Sequence, residues 1–330
     1  MEVTRDRVLE AQFHVVPARV DAAYGMLSER ERHLLFNLTE SHYRGDGAIV
    51  DAGSFFGSST VALAEGLRAN PRFRTIMKKA VAKPIVSYDI GFLPAPLSGS
   101  VTKETGGTVY TWGESFVPIL ERNIVGHEDI VELKIGDFLN EKWPARPIEI
   151  CFIDLAKTND LNVHTFRQLF PAFIPGQTLL VQQDFFFDRL PWIKVLMGYL
   201  SDHFEWLGQV GPSALYRYTT PINPEKYSID PFTELPIEER VVLHKQGDNE
   251  LLPVRRRFAL AMSLCYLYET VGPEEALRAA REVKSDFTDY VATDHSAARR
   301  LQRAIEQFDR LAKRGRLKGA PTSAAISVSG

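Results

Sequence analysis

The stretch AIVDAGSFFGSST, residues 48–60, decides the fold of this chain. Residues 48–53 form a short apolar run that ends in an acid and a glycine, which predicts a buried strand entering a tight turn. The next segment, SSTVALAEGL at residues 58–67, predicts a helix. A strand, a glycine turn and a helix in this order are typical of the first unit of a parallel sheet with helices on both faces.

Apolar runs that end at an acid return four more times along the chain. They predict strands at residues 84–89, 130–135, 148–153 and 177–181, and the acids that follow them are Asp89, Asp137, Asp154 and Asp184. Two further runs, at residues 205–210 and 214–218, are close enough to form a hairpin. The predicted fold class is therefore α/β, a Rossmann-like seven-stranded doubly wound sheet of five parallel strands plus an antiparallel pair, with a C-terminal helical appendage.

The chain of 330 residues divides into four predicted parts. Residues 1–45 form an N-terminal helical segment, in which Ser28 and Glu31 match a capping box. Residues 46–235 form the sheet domain, and they include a long loop at 93–112 that is typical of a lid or binding loop. Residues 236–318 form a helical region, and the small uncharged residues at 319–330 predict a disordered tail.

Composition excludes several classes of protein. The net charge is −3, so a globally basic nucleic-acid binder is not expected. Residues 251–330 hold 14 Lys and Arg against 9 Asp and Glu, a net charge of +5 that leaves −8 for the rest. Two cysteines exclude a disulfide framework, and no apolar run is long enough to cross a membrane. We expect a soluble, cytoplasmic protein that binds neither nucleic acid nor membranes.

Five segments together resemble the class I S-adenosylmethionine (SAM)-dependent methyltransferases, and most of all the macrocin O-methyltransferase-like branch of small-molecule enzymes. The segments are VDAGSFFGSST (50–60), YDIGFLP (88–94), IGDFL (135–139), CFIDLAKT (151–158) and PGQTLLVQQD (175–184). The resemblance extends over roughly residues 28–220. The ordered series is more specific than the first motif, because the spacing, the strand ends and the antiparallel pair agree.

The resemblance implies a SAM site at the carboxyl ends of the strands. Its implied cofactor-binding residues are Asp51, Gly53 and Gly57 around the methionine part, Ser58 and Ser59 at its carboxylate, Asp89 at the ribose, and Asp137 and Phe138 at the adenine. Asp154 would face the methyl-transfer centre. Independently of the resemblance, ligands of doubly wound sheets bind at these strand ends.

The chain departs from the branch at one point. The branch has two adjacent acids after its fifth strand, where they help to hold a divalent metal, whereas this chain has Gln182 and Gln183 with Asp184 one place later. Mg²⁺ prefers carboxylates and water to amides. Asp154 and Asp184 could still hold Mg²⁺ if the strand end is shifted by one residue, but a metal-free site is the favoured interpretation.

The leading hypothesis is a SAM-dependent O-methyltransferase that acts on a hydroxyl of a small molecule, a natural product or a sugar. Its candidate catalytic residues are Asp154, Asp184 and His164, with Lys157 as a further candidate base or a partner of Asp154. The segment Phe185-Phe186-Phe187 is equally compatible with an acceptor pocket and with core packing.

Two other functions stay open. A non-catalytic SAM-fold protein would act through its helical region as a partner-binding or oligomerisation module. A nicotinamide enzyme is disfavoured because the chain lacks the Gly-x-Gly-x-x-Gly fingerprint. We also predict a homodimer through the helical region, because amphipathic helices of this kind often form a dimer face.

Overall fold

The structure, a computed structural model, describes residues 15–93, 108–248 and 251–319, with side chains as far as residue 314. The strands are β1 Ala48–Ala52, β2 Ile85–Asp89, β3 Val131–Ile135, β4 Ile148–Ile153, β5 Leu179–Gln182, β6 Phe204–Val210 and β7 Ser213–Tyr218. The helices are α1 Ala18–Ala22, α2 Glu29–Asn37, α3 Ser58–Ala69, α4 Phe73–Lys79, α5 Val117–Ile124, α6 Asn159–Leu169, α7 Pro191–Tyr199, α8 Ile237–Lys245, α9 Val254–Glu269, α10 Pro273–Asp286, α11 Thr288–Thr293 and α12 His295–Gly319.

The seven strands form one sheet in the order β3-β2-β1-β4-β5-β7-β6. Strands β1 to β5 pair in parallel, and β7 pairs antiparallel with both β5 and β6. The chain builds β2 and β3 on one side of β1 and then returns to build β4 and β5 on the other side. This reversal puts a topological switch point between β1 and β4, which is where open α/β sheets bind ligands at their carboxyl edge.

The central strands are buried on both faces, as parallel strands between two helical layers must be. Every residue of β1 and of β4 is buried. Leu34 and Leu35 of α2, Leu63 of α3, and Ile150 and Phe152 of β4 belong to one hydrophobic cluster. That cluster joins the sheet to the helices on one of its faces.

The predicted fold class is confirmed, and all seven strands lie where the sequence predicts them to within two residues. The least accurate is β5, predicted at 177–181 and observed at Leu179–Gln182. The sequence alone does not predict helix α4. Most of the loop at 93–112, residues 1–14 of the N-terminal segment and nearly all of the predicted tail at 319–330 lie outside the described residues.

Two compact units divide the chain. The sheet unit consists of the described residues of Met1–Phe186 and Tyr199–Glu234, and the helical unit of those of Phe187–Gly198 and Leu235–Gly330. The first segment of the helical unit contains most of α7, which the sequence analysis puts in the sheet domain.

The helical unit has a core of its own. Phe258, Met262 and Cys265 of α9 cluster with residues of α10 and α12, among them Ala280 and Phe308. Cys151 of the sheet unit and Cys265 are both buried free thiols. No helix in the described part of the chain is long and apolar enough to cross a membrane.

Candidate active site at the strand ends

The turn after β1 lies directly against the end of β4. Gly53 has a φ of 105°, and a Cβ atom built on it would come within 2.8 Å of the carbonyl carbon of Asp154. Only glycine allows both this backbone conformation and this close approach. Gly57, with a φ of 91°, then forms the N-cap of α3. The two glycines of the first motif therefore bring its turn to the side of Asp154 and begin the following helix.

Asp51 is fully buried under this turn. Its Oδ2 atom accepts hydrogen bonds from Ser59 Oγ (3.1 Å), Thr60 Oγ1 (2.5 Å) and Ser87 Oγ (3.4 Å). Burial raises the pKa of the Asp51 carboxyl to about 6, although the hydroxyl donors oppose the shift. Asp51 thus ties β1 to the first turn of α3 and to β2, and its side chain is 0% exposed in this structure.

Asp89 closes the turn from the other side. It ends β2, and its two carboxylate oxygens accept the backbone N–H groups of Phe55 (2.6 Å) and Gly91 (2.9 Å). Burial raises the pKa of this carboxyl, against the lowering effect of those N–H groups. Because an ionised carboxylate offers about four acceptor positions, Asp89 keeps capacity for further donors such as ribose hydroxyls.

Two serines of the first motif are covered by protein. Ser59 donates to Asp51, and Ser58 lies under Gly25, where a Cβ atom would come within 2.2 Å of the Ser58 hydroxyl. Ser54 differs from them, since its hydroxyl is buried and has no hydrogen-bond partner among the described residues. A buried hydroxyl without a partner is costly, so Ser54 marks a place in the turn where a ligand group can bond.

The predicted adenine residues lie after β3. Asp137 is exposed, and its Oδ1 atom accepts the N–H of Leu139 (3.0 Å). Phe138 is buried, with its ring edge-on to the rings of Tyr88 and His164. His164 Nε2 lies 3.0 Å from the carbonyl oxygen of Glu141. His164 is therefore grouped with Phe138 after β3, and its observed contacts do not include Asp154 or Asp184.

Asp154 and Asp184 are joined by one ammonium group. Lys157 Nζ donates to Asp184 Oδ2 at 2.5 Å and also to Asp154 Oδ1. Burial raises the pKa of Asp154 to about 7; Asp184 adds to the shift and Lys157 opposes it. Burial alone would lower the pKa of Lys157, but the two carboxylates outweigh that effect and raise it. The structure thus brings together both predicted acids and the predicted partner lysine.

Backbone strain marks the same edge of the sheet. Among the described residues, Phe55 (φ 50°) and Asp184 (φ 62°) are the non-glycine residues with a positive φ. Phe55 follows β1, and Asp184 follows β5. Such conformations cost of order 1–3 kcal/mol and cluster at functional sites, so the strain supports a ligand site here independently of the acids.

Glu31 is a site neighbour that the sequence analysis did not find. Its carboxylate is 2% exposed and accepts the N–H and hydroxyl of Ser28 and the hydroxyl of Ser213 (2.7 Å). Burial raises its pKa, and Asp184 adds to the shift, which puts Glu31 within electrostatic range of the Lys157 group. The capping-box pattern predicts its helix position, but no signal in the sequence predicts its contact with β7.

The three phenylalanines after β5, residues 185–187, differ in burial. Phe185 and Phe186 are buried and pack with Trp206, and Phe185 also lies against Tyr216. Phe187 is 44% exposed. Core packing is therefore the observed role of the first two rings. In the loop before α5, Tyr110 packs on an aromatic cluster around Phe56, whereas Trp112 is 72% exposed.

The donor set does not fit a resident divalent metal. The space between the two carboxylates is taken by the Lys157 ammonium, and a cation there would repel it. Gln182 and Gln183 are neutral and buried, and neither side-chain oxygen has a hydrogen-bond partner among the described residues. The same unpartnered oxygens, together with Ser54 and Asp89, do fit an organic ligand that carries N–H and O–H donors.

Similarity to known proteins is found among solved structures. No family model matches the chain, and no curated protein matches it. Among solved structures, the O-methyltransferase NovP is 14% identical with a TM-score of 0.42, over 66% of this chain and 96% of that chain. Cofactor-bound Rv0187 from MTB is 17% identical with a TM-score of 0.38, over 66% and 91%. The sheet order itself confirms the predicted fold class, a Rossmann-like sheet of five parallel strands plus an antiparallel pair.

Proposed function

We propose that this protein is a SAM-dependent methyltransferase that methylates a hydroxyl group of a small molecule. The observation that carries the proposal is the contact of the Gly53 turn with Asp154 at the switch point of the sheet. It puts the turn that the resemblance assigns to SAM beside a group of two acids and a lysine. Ion pairs of this kind are weak evidence for a role in stability, which favours a functional role for the group.

The residues present suit SAM as a ligand. Asp89 has acceptor capacity at the end of β2, and the exposed Asp137 lies at the end of β3, in the order that a ribose and an adenine would require. The unpartnered hydroxyl of Ser54 lies in the turn between them and the acids. When bound, SAM supplies a methyl group on a positively charged sulfur.

The acids and the lysine would carry out the proton chemistry. A carboxylate oxygen of Asp154 or Asp184 would take the hydroxyl proton of the acceptor, while bound SAM would supply the methyl group and keep the electron pair of the broken carbon–sulfur bond on its sulfur. Lys157 has three N–H donors and uses two of them on these acids. The third can donate to the acceptor oxygen and hold it in position.

Calorimetry with SAM and S-adenosylhomocysteine tests the proposal. We expect the wild type to bind both, and Asp89→Ala to bind at least about tenfold more weakly, because hydrogen bonds to a charged group contribute about 1.5–3 kcal/mol. Asp202→Ala, an exposed acid of the sheet unit, is the matched control and should bind as the wild type does. The absence of heat with either ligand, or an Asp89→Ala variant indistinguishable from the wild type, would contradict the proposal.

Turnover separates an enzyme from a binding protein. With methyl-labelled SAM and a panel of phenolic, sugar and macrolide hydroxyl acceptors, we expect label in at least one acceptor. Binding without transfer to any acceptor would favour the non-catalytic alternative. The homodimer through residues 236–318 stays a prediction, and a monomeric mass by light scattering would refute it.

A further inference from the structure

The Lys157 ammonium lies where two carboxylates converge from neighbouring strands. Asp154 follows β4 and Asp184 follows β5, and both contact the same nitrogen. Two converging carboxylates at the edge of a sheet are an ordinary donor set for a cation. Here the cation is part of the chain.

We propose that the ammonium of Lys157 is the resident cation of this site, in place of a divalent metal, and that its removal turns Asp154 and Asp184 into a divalent-cation site. This inference rests on the proposed function and adds to it that the methyl-transfer reaction does not need a metal. Its test, however, uses neither SAM nor an acceptor.

Local structure holds the lysine in place on both sides. Its own N–H donates to the carbonyl of Leu155 at 2.7 Å, which makes a tight turn after β4. The next residue, Thr158, caps α6 by accepting the N–H of Leu161 at 3.2 Å. The side chain therefore starts from a fixed backbone position and does not depend on a mobile loop to reach the acids.

The acids are also held toward the lysine. Asp184 adopts the left-handed backbone conformation, which redirects the chain after β5, and its carboxylate is only 19% exposed. Asp154 is 14% exposed, whereas the Lys157 side chain is 50% exposed. Solvent thus reaches the site mainly past the lysine. If Lys157 is truncated, two little-exposed carboxylates remain with no positive partner, and a divalent cation from solvent can replace it.

Mn²⁺ titration of the full chain measures this directly, by electron paramagnetic resonance and by calorimetry. We expect Lys157→Ala to bind one Mn²⁺ at least about tenfold more tightly than the wild type, because two carboxylates attract a divalent ion once the like charge is gone. Thermal melts should show Mn²⁺ raising the melting temperature of Lys157→Ala and leaving that of the wild type unchanged.

Three variants serve as controls. Lys157→Arg keeps the charge and should exclude Mn²⁺ as the wild type does. The double variant Lys157→Ala/Asp184→Asn should lose the gained site. Lys142→Ala removes an exposed lysine of the same unit and should change nothing.

Some results would overturn the inference. One is a wild type that binds Mn²⁺ as tightly as Lys157→Ala and loses that binding in Asp154→Asn. Another is a folded Lys157→Ala that gains no Mn²⁺. If Lys157→Ala folds only with Mn²⁺, the inference is supported, since the metal then replaces the lysine. A failure of SAM binding would leave these outcomes untouched, so the two proposals fail separately.

Discussion

The strand ends of the sheet unit and the interior of the helical unit differ in the sign of their least exposed ionisable groups. At the strand ends of the sheet unit these groups are acids, the buried Asp51 and the 14% exposed Asp154, and burial raises their pKa values. In the helical unit the two least exposed ionisable groups, Lys194 and His244, are basic, and the acid Asp188 is 6% exposed. Lys194 is 1% exposed and donates to the carbonyls of Phe187 (2.5 Å) and Leu190 (3.0 Å), while the fully buried His244 pairs with Ser263 (3.1 Å).

The surroundings of these groups distinguish a candidate functional site in the sheet unit from structural packing in the helical unit. The Asp154 and Asp184 pair shares a half-exposed lysine, lies beside strained backbone, and adjoins buried oxygens without partners. The basic groups of the helical unit instead bond to main-chain carbonyls and to a serine within their own unit. Burial of charge alone therefore does not identify a functional site. The additional signs are strain, spare bonding capacity and access to solvent.

Two matched glycine substitutions, one in each unit, are expected to have the largest effect on the free energy of unfolding. A Cβ atom on Gly66 would come within 2.2 Å of the carbonyl oxygen of Phe36 in the sheet unit. One on Gly198 would come within 2.1 Å of the carbonyl oxygen of Leu243 in the helical unit. We expect Gly66→Ala and Gly198→Ala each to lower the free energy of unfolding by about 3 kcal/mol, since backbone must move. Denaturant melts measure the loss.

Hydrogen exchange shows which unit each glycine substitution destabilises. Gly66→Ala should speed exchange mainly in α2 and α3, and Gly198→Ala mainly in α8 and α9. Gly176→Ala is the control, because it has a positive φ but no atom within 4 Å of the added Cβ, and should cost only about 1 kcal/mol. Faster exchange in the sheet strands alone for Gly198→Ala would contradict the assignment of α7 to the helical unit.

Acid should weaken the helical unit through His244. Burial, with Lys194 and Lys245 adding, lowers the pKa of His244 from 6.5 to about 3. The folded state keeps His244 neutral. Its contribution to the free energy of unfolding is therefore fully present above pH 6.5 and is lost as the pH falls from 6.5 toward 3. At pH 5 the loss is about 2 kcal/mol.

His244→Gln should remove most of that dependence between pH 7 and pH 5, as followed by denaturant melts. His295→Gln, at an exposed position, should keep it. An unchanged pH dependence in His244→Gln would show that the buried histidine does not govern acid sensitivity.

Asp51 should act in the opposite direction and more weakly. Its folded pKa of about 6 lies above the ordinary 3.8, so its contribution to stability is complete below pH 3.8 and is lost as the pH rises through about 6. Relative to Asp51→Asn, the wild type should gain about 1 kcal/mol between pH 7 and pH 5. A relative loss over that range, measured by the same melts, would mean that Asp51 is stabilised as an anion.

The strands could be predicted from the sequence because each is a continuous apolar run. Strand β4 is observed at the predicted residues, and the acids at the strand ends follow from those boundaries. The start of β5 could not be placed, because Thr178 looks like a strand residue. In the structure the hydroxyl of Thr178 donates to the carbonyl oxygen of Ile148. The pairing of β5 with β4 begins one residue later, at Leu179.

The arrangement of the site could be predicted only in part. The sequence places Asp154 and Lys157 three residues apart, which suggests a pair. It does not reveal the left-handed backbone at Asp184, which lets one ammonium reach both acids. The same limit applies to Glu31 and to the grouping of α7 with the C-terminal helices. These features depend on contacts between residues far apart in the chain, which hydrophobic periodicity does not encode.

Calorimetry of S-adenosylhomocysteine binding to the wild type, in buffer with EDTA and then with excess Mg²⁺, tests both the ligand site at the strand ends and its independence of a metal. We expect binding at one site per chain with the same affinity in both buffers, because the strand ends form the proposed ligand site and Lys157 supplies its cation. No binding in either buffer, or binding that disappears in EDTA, would contradict it.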